Sequence, residues 1–168
     1  MKRLAIGLLV LVAAFGAAAA PAASPDFQVS NTIVMTRADG TALPAAQTIR
    51  VWCGPWESDV RTPSIHARAG GPSGGWSMSA VLADVRRRPV VRFPHSFIFN
   101  KPTGAEISGG DGRNELSTEG QDSSGRITFT RARCGKRLDI RFKLDAVMDS
   151  EFHDAPPVAI RGTFSARG

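Results

Sequence analysis

The sequence predicts an all-β fold, an antiparallel β-sandwich or partly open barrel of about seven to nine strands with one inter-strand disulfide. Three observations carry that expectation. Apolar residues alternate with a period of two along much of the chain. Glycine- and proline-rich turn signals separate the alternating runs. Only two cysteines are present, Cys53 and Cys134, each at the end of such a run.

Segment 137–148 is the clearest strand. Leu138, Ile140, Phe142, Leu144, Ala146 and Met148 fall on one face, and Arg137, Asp139, Arg141, Lys143 and Asp145 on the other. A helix would spread those apolar residues around its whole circumference, so the strand reading wins. Segment 27–37 alternates through Phe27, Val29, Ile33 and Met35, with a break near Ser30-Asn31. Segment 48–53 buries Ile49, Val51 and Cys53. Segment 76–85 alternates first through Trp76, Met78 and Ala80, and 79–88 has room for a short helix ended by Pro89. Segment 90–99 is apolar, but Pro94 cannot donate to a ladder, which points to an edge strand or a bulge. Segments 126–133 and 158–165 complete the set. Turns are expected at Ala38-Asp39-Gly40, Gly70-Gly71-Pro72, Gly109-Gly110-Asp111-Gly112, Ser123-Ser124-Gly125 and Ala155-Pro156-Pro157.

The N-terminus reads as an export signal. Met1-Lys2-Arg3 is basic, residues 4–20 are uncharged and mostly apolar, and Ala20-Pro21-Ala22 has the small-x-small spacing of a cleavage site. The apolar run is shorter than the ~20 residues a bilayer span requires. The expected organisation is therefore a cleaved signal peptide, 1–22, and a single domain, 23–168, secreted or periplasmic and bacterial. No later run is long enough to span a membrane. Removing 22 of 168 residues leaves 146, enough for one core. In an oxidising compartment the two cysteines should pair, closing a loop of 134 − 53 = 81 residues.

The charge is +6, falling to +4 when Lys2 and Arg3 leave with the signal. Only Lys2, Lys101, Lys136 and Lys143 are lysines, so arginine dominates the basic residues. Arg86, Arg87, Arg88 and Arg92 form the densest basic patch. Arg131, Arg133, Lys136, Arg137, Arg141 and Lys143 form a second group, and a sheet face would gather both into one cationic surface for an anionic polymer, a lipid headgroup or an acidic partner. Interspersed Asp84, Asp139 and Asp145 argue against such a surface and for an ordinary solvated face, and the lack of aromatics among the arginines argues against nucleic acid. The absence of tyrosine argues against an aromatic sugar-binding face.

Several motifs suggest chemistry and fail on inspection. Trp52-Cys53-Gly54-Pro55-Trp56 has tryptophan where a thioredoxin-like site needs its second cysteine. Gly71-Pro72-Ser73-Gly74-Gly75 has the glycines of a serine-protease nucleophile loop, but Pro72 replaces the acidic residue and His66 is only seven residues upstream. The marks of an immunoglobulin domain are also missing: Trp76 is too far from Cys53, and Ala132 stands two residues before Cys134. No cofactor fingerprint is present. Glu151, His153 and Asp154 are the densest group of metal-type ligands, at a spacing that specifies no site.

These readings favour a non-enzymatic binding or cell-envelope interaction module, whose partner is an envelope protein or an anionic polymer. Loops 54–75 and 106–125 are the expected places for its contacts. Two alternatives differ in kind: a small secreted hydrolase or metal-dependent enzyme using His66, His95 or His153, and a polyanion-binding protein acting through the arginine-rich face.

Overall fold

In the computed structural model, residues 28–45, 48–56, 59–71, 74–94, 103–110, 114–150 and 155–168 are described. The expected signal peptide lies outside them. They form β1 (Gln28–Asn31), β2 (Val34–Arg37), β3 (Thr48–Trp56), β4 (Asp59–Gly71), β5 (Gly74–Val81), α1 (Leu82–Arg87), β6 (Val90–Phe93), β7 (Ala105–Gly110), β8 (Glu115–Ser117), β9 (Ser124–Arg133), β10 (Asp139–Met148) and β11 (Val158–Arg167).

All pairings between these strands are antiparallel, and the strands make two open sheets. One runs β1-β11-β10-β9-β6, with β2 also on β11; the other runs β3-β4-β5-β7-β8. Period-two alternation sends one set of side chains from each sheet into a shared interior. Ile65, Met78 and Ile107 from the five-stranded sheet meet Ile127, Leu144 and Ile160 from the six-stranded sheet. Trp76 stands edge-on to Phe142 and Phe164, at ring separations of 6.1 and 5.5 Å. The fold is the expected all-β sandwich.

The Cys53–Cys134 disulfide forms, with its Cα atoms 5.9 Å apart. Cys53 belongs to β3 in one sheet and Cys134 directly follows β9 in the other, so the bond ties the two sheets together. It is the mark of an oxidising, extracellular-type compartment. Backbone bonds between Ser117 and Asp149 link the sheets again, from the end of β8 to the residue after β10. No helix among the described residues is long and apolar enough to cross a membrane.

Eleven strands exceed the expected number for two reasons. Segments 54–75 and 106–125, expected as loops, contain β4 and the pair β7 and β8. The anticipated first strand is also two strands, because the chain kinks at Thr32-Ile33 rather than at Ser30-Asn31 and crosses β11 in two pieces. Gly162 sits beneath that kink with φ +143°; a Cβ there would lie 2.4 Å from the Thr32 carbonyl oxygen. The segment read as 76–85 divides into the end of β5 and helix α1, which stops before Pro89. β6 ends at Phe93, before Pro94, and is an edge strand.

Candidate functional site

Two outward surfaces result, one per sheet. On the six-stranded sheet, alternate residues of β10 and β11 face away from the core, and so do those of β9 on either side of a bulge that leaves Thr130 and Arg131 both exposed. Register then assembles the surface. Arg92, Arg126, Asp145 and Arg161 form one row across four strands, and Arg131 and Arg141 face each other in a second. Arg133, Asp139 and Arg167 form a third, and Lys143 lies between Thr128 and Thr163. Eight exposed cations (Arg92, Arg126, Arg131, Arg133, Arg141, Lys143, Arg161 and Arg167) thus share a face with two carboxylates. Arg161 Nε donates to Asp145 at 2.8 Å, and Arg141 Nε stands 3.5 Å from Asp139.

The structure divides the densest basic patch of the sequence. Arg92 joins the sheet face opposite Arg126. Arg86 and Arg87 occupy the last turn of α1 and Arg88 caps it. Arg86 Nε donates to the Ala132 carbonyl at 2.9 Å, which fastens the helix to β9. Of the second group, Arg131, Arg133, Arg141 and Lys143 reach the face, while Lys136 and Arg137 are exposed in the turn between β9 and β10.

The outward side of the five-stranded sheet is a groove of about 860 Å³. Residue size makes its concavity. One cross-strand row reads Trp52, His66, Ser79, Glu106; the next reads Arg50, Arg68, Ser77, Ser108, Ser117; a third reads Thr48, Gly70, Gly75, Gly110, Glu115. Glycines and serines hold the middle, and Trp52, Arg68 and Glu115 rise at the sides. Gly75 is required by close approach, since a Cβ there would lie 2.2 Å from the Ala69 carbonyl oxygen.

His66 is 3% exposed. Its Nε2 lies 3.0 Å from the Pro55 carbonyl oxygen, an atom that only accepts, so Nε2 carries the proton. Nδ1 then accepts from the Ser79 hydroxyl at 3.0 Å. A serine bonded to a histidine has the outline of an activated nucleophile; here the Nε2 side of the ring is oriented by a backbone carbonyl. The imidazole also supports an indole. Trp52 stacks on it with centroids 5.1 Å apart and planes 13° apart. Trp52 itself remains 43% exposed on the edge strand β3.

His95, Glu151, His153 and Asp154 lie outside the described residues. Among the described residues no group of three or more His, Cys, Asp or Glu side chains could hold a metal ion. In the glycine-rich 71–75 segment, Gly71 ends β4 and pairs with Gly74 at the start of β5, and Pro72 and Ser73 lie outside the described residues.

No family model, curated protein or solved structure matches this chain. The two faces therefore have to be read from their own chemistry.

Proposed function

We propose that this chain is an exported cell-envelope module that binds an anionic envelope polymer across the outer face of its six-stranded sheet. The observation that supports this most is the paired placement of like charges there. Arg92 lies directly opposite Arg126, and Arg131 opposite Arg141. Like charges facing across strands destabilise a sheet. A polyanion lying over them turns that repulsion into attraction.

The dimensions suit an extended ligand. Four strand positions and six residues along β10 span roughly 14 by 20 Å. Arginine suits the task because its planar guanidinium offers paired donors to carboxylate, sulfate or phosphate oxygens. Thr128, Thr163 and Ser165 lie among the cations and add hydroxyls. The disulfide and the signal-like N-terminus agree with a place outside the cytoplasm.

Heparin–agarose tests the reading. The protein is expected to be retained and to elute with rising salt, because screening and counter-ion release weaken such contacts steeply. Arg131→Ser/Arg141→Ser should elute at distinctly lower salt than Arg87→Ser/Arg88→Ser, which carries the same net charge. Equal shifts in the two variants would mean that net charge alone governs retention, and the face would lose its role.

A further inference from the structure

The groove on the opposite sheet is unused by the polyanion reading, and its chemistry differs. We infer that it is a binding site for a neutral oligosaccharide, with Trp52 as the stacking platform.

The floor is hydroxyl-rich: Ser77, Ser79, Ser108 and Ser117 project from three adjacent strands. The Ser77, Ser108 and Ser117 hydroxyls both donate and accept, as sugar hydroxyls do, and Ser79, whose proton goes to His66, accepts. Ser77 Oγ and Ser108 Oγ are 2.6 Å apart, so two of these hydroxyls are already bonded to each other across β5 and β7. Arg68 at one side and Glu115 at the other offer a pure donor and a pure acceptor to hydroxyl pairs. The mixed charge of the walls selects against other ligands. A polyanion would meet Glu115 and Glu119, a polycation would meet Arg68, and a lipid tail would lie on a polar floor.

Trp52 supplies what a polar floor lacks. The face of an indole is electron-rich and attracts the slightly positive C–H groups of a pyranose ring. Held by His66, which is itself held at both nitrogens, the indole loses little freedom when a ring settles on it. About 860 Å³ lies within the range of small-ligand sites, and five strands span about 19 Å from β3 to β8, a length suited to several sugar rings. The missing tyrosines are therefore no obstacle, because one exposed tryptophan serves.

Titration of the full mature chain with chitotetraose, cellotetraose and maltotetraose, followed by calorimetry, is the test. Saturable binding of at least one is expected. Trp52→Ala should weaken it about tenfold or more, and Ser77→Phe, which fills the floor, should abolish it. Both variants should keep the parent's circular dichroism, since both side chains lie outside the core. Arg131→Ser/Arg141→Ser on the other face should bind the sugar normally, which separates this site from the polyanion face. Failure of all three sugars to bind at millimolar concentration would overturn the inference. So would binding that ignores both groove substitutions.

Discussion

Asp59 shows how one side chain starts a strand. Its carboxylate accepts from the Thr62 hydroxyl and from the Arg61 backbone N–H, the latter at 3.0 Å. These bonds, the Thr62 hydroxyl foremost, hold its pKa below the ordinary 3.8. A carboxylate with a lowered folded pKa contributes stability above its unfolded value, and that contribution is lost as pH falls through the folded value. The entry of β4 should therefore loosen only in acid, below about pH 4. Carbon-detected NMR titration should place the Asp59 midpoint under 3.8. Thr62→Val should move it upward, and an unmoved midpoint would show that the hydroxyl is not the cause. Asp39 is lowered in the same manner by the backbone N–H of Thr41 and forms the same kind of turn.

At the scale of elements, what could be read from the sequence depended on side-chain size. β10 was legible because large apolar residues and charges alternate from Asp139 to Asp145. β4 was not, although it is the longest strand. Its inward residues include the small Ala67 and Ala69, its outward ones include the buried His66, and Pro63, Gly70 and Gly71 read as turn signals. β4 is sustained by neighbours on both edges, β3 and β5, and pairing of that kind has no local signature. The groove was hidden for the same reason, since short side chains that make a hollow also make a weak pattern. The cationic face was half visible: its residues stand in the sequence, but only register sets Arg131 against Arg141. Gly162 tests the register of the β1–β2 kink. A side chain there meets the Thr32 carbonyl and takes on a left-handed backbone at φ +143°. Gly162→Ala should cost about 1–3 kcal/mol from backbone strain, with the clash in addition, measured by urea unfolding. A cost below that range would mean that β1 can leave β11 freely.

Across the whole molecule, the two sheets divide the surface chemically, one face cationic and the other a mixed-charge groove. They point in opposite directions because both bury their apolar sides against each other. On the proposed reading, a module held to a polymer by the first leaves the second open, and relative sheet placement then bears on both faces as well as on stability. The disulfide governs that placement most directly. It closes 81 residues, including all of β4 through β9, and joins the edge strand β3 to the end of β9. The chain-entropy model gives about 4–5 kcal/mol for such a loop as an upper figure. The core is extensive and a backbone bridge at Ser117 and Asp149 also links the sheets, so the reduced protein should still fold. Cys53→Ala/Cys134→Ala should therefore lose a few kcal/mol and melt several degrees lower, yet keep the salt-dependent retention on heparin. That retention depends on register within one sheet, which the bond does not set. Sugar binding should be more sensitive, because Trp52 stands beside Cys53 on the strand that the bond secures. An unchanged melting temperature under reductant would show that packing and the bridge alone hold the sheets together. Loss of heparin retention together with the bond would show that the cationic face is not the autonomous product of one sheet.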